Sequence, residues 1–93
     1  MWVRIREFSF ASDRADDIID RVRDTAVARF DGEGHRGFRL LVDRPNGRAL
    51  EVSYWETEAG ARADACVETA SLAKLPGEVL ERTSHYELAI DAA

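Results

Sequence analysis

Residues 37–58 read GFRLLVDRPNGRALEVSYWETE, two strand-like runs about a Pro45-Asn46-Gly47 turn, closed by Trp55-Glu56-Thr57 at the start of a helix. Phe38, Leu40 and Val42 alternate with Arg39, Leu41 and Asp43; beyond the turn, Leu50, Val52 and Tyr54 alternate with Glu51 and Ser53. Period-two alternation on both arms predicts a β-hairpin with one apolar and one mixed face. Pairing Val42 with Leu50 and Phe38 with Tyr54 would put all six large apolar side chains on one side of it.

Outward from the hairpin, Trp2 to Phe10 (WVRIREFSF) alternates branched and aromatic residues with charges and predicts a first strand. Ala15, Ile18, Ile19, Val22, Ala26 and Phe30 recur at helical spacing, so 13–30 predicts an amphipathic helix, with Ser12 or Asp13 as its cap. Asp31, Gly32, Glu33 and Gly34 stop it. Thr57 caps a second helix running to about Lys74, ended by Leu75-Pro76-Gly77, and its inner stripe of Ala59, Ala63, Cys66, Val67 and Ala70 is small. Leu80 to Ile90 alternates again, with Tyr86, Leu88 and Ile90 on one face and His85 and Glu87 on the other. Strands are expected near 2–10, 37–43, 49–55 and 81–90. The order βαββαβ is that of a ferredoxin-like α+β domain, an antiparallel sheet with two helices on one face.

The first strand sets Arg4 and Arg6 against Val3 and Ile5. The expectation is that helices cover the Val3 side. The Arg4 side, with Arg39, Glu51, Ser53, His85, Glu87, Trp2, Phe8 and Leu41, is too polar for a dry core and would then meet a second subunit. Arg4 and Arg6 would pair there with Glu51 or Glu87.

Composition limits the function classes. The 93 residues suit one domain, 1–93. A net charge of −5 disfavours a nucleic-acid backbone or an anionic membrane as partner. Cys66 is the single cysteine, which points to a reducing cytoplasm, and no apolar run has the length of a membrane span or a signal-peptide core. Two histidines and one cysteine without clustered spacing give no metal site. Gly32, Gly34 and Gly37 follow a helix and precede a strand, the reverse of a phosphate cradle.

With these elements in hand, the chain resembles the antibiotic biosynthesis monooxygenase-like family of dimeric α+β barrel proteins. The residues that carry the likeness are GHRGFRLLVDRPNGRALEVSYWETE, its Trp55-Glu56-Thr57 helix start and the closing Ser84-His85-Tyr86-Glu87 strand. The resemblance implies a homodimer whose sheets pack face to face, with a ligand cavity between each sheet and its helices. Heme-degrading members use an asparagine on the first strand and a tryptophan and a histidine on the second helix; here residues 2–10 contain no asparagine, and residues 57–75 contain neither tryptophan nor histidine. Cofactor-free members that oxidise polyketide-like aromatics rely on the substrate's own acidity beside tryptophan, asparagine and arginine. This chain has Trp55 and arginines, but its one asparagine, Asn46, sits in the hairpin turn.

Two functions of different class follow: a cofactor-independent monooxygenase acting on a small planar aromatic substrate, or a non-catalytic small-molecule-binding dimer of the same fold. Trp55 either stacks on a planar ligand at the rim of a cavity or packs the strand-to-helix corner. His85 is either a general base or a surface or interface residue, and His35 reads as an exposed loop residue. Tyr54 and Tyr86 either line a cavity or fill the core, and Cys66 reads as a small packed hydrophobe. Large strand residues opposite small helix residues place the expected cavity among Phe38, Leu40, Val52, Tyr54, Ala63, Val67 and Tyr86. No cofactor is called for.

Overall fold

The computed structural model describes residues 1–30, 34–63 and 77–92, with the backbone alone for 25–30. Strand β1 (Trp2–Ser9) leads through a 3₁₀ turn (Ser12–Arg14) into helix α1 (Ala15–Phe30). The hairpin follows as β2 (His35–Asp43) and β3 (Arg48–Trp55), then α2 (Glu58–Ala63) and β4 (Val79–Glu87). The four strands form one sheet in the order β2-β3-β1-β4, with every neighbouring pair antiparallel. Both helices pack on one face, α1 through Ala15, Ile18 and Val22 against Phe8, and α2 through Ala61 against Trp55. This is the expected βαββαβ arrangement. The continuation of the second helix to Lys74, with Cys66, Val67 and Ala70, and its stop at Leu75-Pro76 lie outside the described residues.

Local chemistry explains most boundaries. The Thr57 hydroxyl accepts from the Gly60 amide at 3.0 Å, a side-chain cap at the start of α2. Neither Ser12 nor Asp13 opens α1 directly; the chain winds in through the 3₁₀ turn, where Arg14 N donates to Ala11 O at 2.8 Å. The hairpin turn is held by Gly47, whose φ of 61° favours glycine and whose carbonyl accepts from Phe10 N at 2.8 Å. Strand β4 ends at Glu87 rather than near Ile90, after which Leu88 N donates a last bond to Met1 O.

Two expectations about faces are corrected. Val42 pairs with Ala49, not Leu50, and Phe38 with Ser53, not Tyr54. The four-residue turn 44–47 sets this register, one residue from the expected one, and one residue moves every β3 side chain to the opposite face. The helices therefore cover the Arg4 side of the sheet, and Val3, Ile5, Leu50, Val52, Tyr54 and Tyr86 lie on the open side. Phe8 and Phe10, buried with Ala49 and packed against the partly buried Phe38, Leu40, Val42 and Leu80, outweigh Val3 and Ile5 in apolar area and draw the helices to their own side. The face expected to meet a second subunit is thus already covered within the chain.

Candidate active site beneath the helices

Alternation along β1 carries Trp2, Arg4 and Arg6 under the helices on the same face as Phe8. Arg4 is 1% exposed, Arg6 0% and Glu51 1%, a degree of enclosure rare for charged side chains, and the neutral Ser53 beside them is 1% exposed. Burying a charge is costly without compensation, and the sheet register supplies it: Glu51 stands directly across from Arg6. Arg4 Nη1 donates to the Ala61 carbonyl of α2 at 3.0 Å, and its guanidinium carbon lies 5.0 Å from the centre of the Trp55 ring. Gly60 suits that close approach: a Cβ there would lie a tight 3.2 Å from Thr57 Oγ1 and in ordinary contact, at 3.5 Å, with the Trp55 ring.

Trp55 is buried beneath α2 against Trp2, Phe38 and Ala61, not set at a cavity rim. Its Nε1–H donates to Ser53 Oγ at 2.9 Å, which fixes the indole plane over the sheet. His35 is not an exposed loop residue; it opens β2, half-buried, with its ring edge-on to Trp55 at 5.3 Å between centres. His85 sits across from Arg4 on β4. Its pKa is pushed below the ordinary 6.5, first by partial burial and then by the Arg62 and Arg4 guanidiniums, against a weaker opposing bond at Ala61. At neutral pH His85 is therefore an uncharged imidazole among cations, able to accept a proton.

The structure thus places Trp55 and His85 on the same covered face, on β3 and β4 to either side of Arg4, with Arg6, Glu51 and Ser53 on that face too. Phe38 and Leu40 share that covered face. Val52, Tyr54 and Tyr86 lie on the other side of the sheet, so the seven residues expected around one cavity are divided between two faces. Ala63 ends the described part of α2 and is exposed, and Val67 is outside the described residues. The arginines are what the sequence reading left out of the site. The signal was there: Arg4 and Arg6 share their alternation with Phe8 and Phe10, the larger apolar groups of that segment.

On the open face, two shallow clefts of about 300 Å³ each flank the sheet centre. One, at the hairpin end, includes Leu41, Leu50, Glu7 and Arg48; the other includes Arg36, Arg39 and Tyr54. Among the described residues no group of three His, Cys, Asp or Glu side chains could hold a metal ion, and no helix is long and apolar enough to cross a membrane.

No family model and no curated protein matches the chain. Solved structures do. The heme-degrader MhuD from Mycobacterium tuberculosis, with two hemes bound in its active site, superposes with a TM-score of 0.74 at 21% identity, over 100% of both chains. A candidate antibiotic biosynthesis monooxygenase from Deinococcus radiodurans gives 0.67 at 15% identity, over 100% of this chain and 97% of its own. Another, from Nitrosomonas europaea, gives 0.64 at 18% identity, over 97% of this chain and 100% of its own. At such identities the likeness speaks for architecture: this chain has the α+β fold of the antibiotic biosynthesis monooxygenase-like proteins.

Proposed function

We propose that the protein is a cofactor-independent monooxygenase that takes a small planar aromatic substrate as an anion on the covered face of the sheet. The observation that carries this is the enclosed Arg4, set beside Trp55 and across from His85, with the enclosed Arg6 next to it on the same face of β1. Trp55, Phe38 and Leu40 supply flat and apolar contacts for a ring. His85 takes the acidic C–H or O–H proton of the substrate, and Arg4 stabilises the resulting anion in a water-poor setting. The carbanion combines with dioxygen to form a C–O bond as a peroxide, which takes up a proton and loses water to leave a carbonyl. For a hydroxyanthrone, one methylene and one O₂ give one quinone carbonyl and one water.

The residues present do not match the heme site that the resemblance implies: residues 2–10 hold no asparagine, and residues 57–75 hold neither tryptophan nor histidine. No step is therefore routed through a heme.

The acting unit in this proposal is a homodimer formed through the open sheet face, where Leu41 and Tyr86 are half exposed and Ile5, Leu50 and Tyr54 are partly exposed around the buried Val3 and Val52. The single cysteine fits a reducing cytoplasm. A second reading, a dimer that binds a small molecule without chemistry, is favoured by one feature: Arg4 and Trp55 already satisfy their polar groups on Ala61 and Ser53. Incubation with a hydroxyanthrone under oxygen separates the two. Quinone formation that depends on Arg4 supports the monooxygenase; quenching of Trp55 fluorescence without turnover across a panel of such aromatics leaves binding alone.

A further inference from the structure

Strand β2 is an edge of the sheet, and its open face reads Arg39, Leu41, Asp43 at positions i, i+2 and i+4. All three are exposed, Leu41 by 52%. The two charges lie about 13 Å apart along the strand with the leucine midway between them. Arg39 rests its guanidinium carbon 5.5 Å from the Tyr54 ring centre and points along the open face. Asp43 accepts from the Asn46 amide at 2.8 Å, while its strand neighbour Arg48 lies 3.9 Å from Glu7. Beside Leu41 lies the cleft of about 300 Å³ that also includes Leu50 and Ala49, ample for one leucine side chain.

A sequence that reads positive, apolar, negative is complementary to itself when reversed. We propose that the second copy docks on this face with its β2 antiparallel, about a two-fold axis passing close to Leu41. Arg39 of each subunit then pairs with the partner's Asp43, and Leu41 of each fills the other's cleft. A two-fold axis repeats every contact, so one such pairing occurs twice and closes the assembly as a dimer. An axis laid parallel to the strands beside β2 would instead bring the two Arg39 side chains together and the two Asp43 side chains together, a costly juxtaposition of like charges. The charges on β2 thus select the orientation of an interface whose adhesion comes from the apolar residues. The inference rests on the homodimer reading above and adds the register to it.

Arg39→Glu and Asp43→Arg test it, because each makes a homodimer with two repulsive contacts. Mixed together, the two variants form a heterodimer in which both cross-interface pairs are again opposite in charge. Sedimentation equilibrium should show each variant alone dimerising at least about tenfold more weakly than the wild type, and the equimolar mixture recovering to within about threefold of it. Both positions are exposed, and thermal melts confirm that each variant unfolds as cooperatively as the wild type. A mixture no tighter than its components, or single variants that dimerise as the wild type does, overturns this register while leaving the homodimer standing. A wild type that is monomeric at micromolar concentration overturns both.

Discussion

Arg4 is the residue on which the site turns. Removing a buried guanidinium leaves its acceptor, the Ala61 carbonyl, unmatched. Arg4→Met should therefore unfold cooperatively with a loss of about 1–3 kcal/mol. If Arg4 stabilises an anionic transition state, the same change should lower kcat/KM by roughly 10²-fold, as loss of one preorganised donor does. Steady-state kinetics well below the melting transition checks the rate and a thermal melt the stability; unchanged kcat/KM in the folded variant would return Arg4 to a packing role. His85 supplies a second handle. Burial and the Arg62 and Arg4 cations hold its pKa below 6.5, so its base form dominates at neutral pH. The kcat/KM profile should be flat above 6.5 and fall as pH drops through the lowered pKa, and His85→Gln should remove that limb. Folding follows the same sign: the native state favours the neutral ring, so the contribution of His85 to stability is full above 6.5 and is lost as pH falls toward the lowered value. Trp55 and His85 were legible as candidates because few residue types can do such chemistry. Their mutual placement was not, since whether an alternating strand turns its odd or even residues inward depends on partners remote in sequence.

At the scale of elements, the hairpin shows what local pattern can and cannot decide. Alternation and Pro45-Asn46-Gly47 specify two strands and a turn, and both are present. They do not specify whether Val42 meets Ala49 or Leu50, because either pairing satisfies the alternation of each arm taken alone. The choice is made by Gly47, whose carbonyl binds Phe10 N, and by Phe8 and Phe10, which need the covered face. Gly47→Ala should accordingly be costly: a Cβ there would stand 2.2 Å from the Phe10 carbonyl oxygen, in a backbone region that alanine disfavours. Chemical denaturation should show a loss well above about 1 kcal/mol, and a neutral result would mean that the turn does not set the register. The other fastening is between α1 and the start of β4, where Arg21 donates to Glu78, whose side chain is fully enclosed. Removing one partner of a buried pair strands the other charge, so Arg21→Met should cost on the order of 3 kcal/mol. Arg21→Met combined with Glu78→Leu should recover most of it in the same denaturation experiment. Neither residue declares this contact in the sequence, because 57 positions separate them.

For the molecule as a whole, the division of the sheet into two unlike faces is the organising fact. The covered face has apolar groups at one end and arginines at the other; the open face has apolar side chains across β1 and β3, with charges toward its margins. Polarity alone assigned these faces the wrong way round, since it treated arginine as a mark of the outside. An enclosed guanidinium with an aromatic ring beneath it and a backbone carbonyl ahead of it meets its needs without water, and that arrangement is invisible until α2 is in place. The open face then becomes the surface in want of a cover. A stable two-fold interface needs about 800 Å² per partner and a centre free of unpaired charge. Leu41 stands on that face, half exposed, so its replacement leaves the interior of the chain untouched. Leu41→Lys would replace the apolar side chains at the centre of the interface by two ammonium groups close to the two-fold axis. The variant should unfold cooperatively at low protein concentration yet run as a monomer by light scattering where the wild type is a dimer. If Leu41→Lys stays dimeric, the copies meet elsewhere and the open face serves some other purpose.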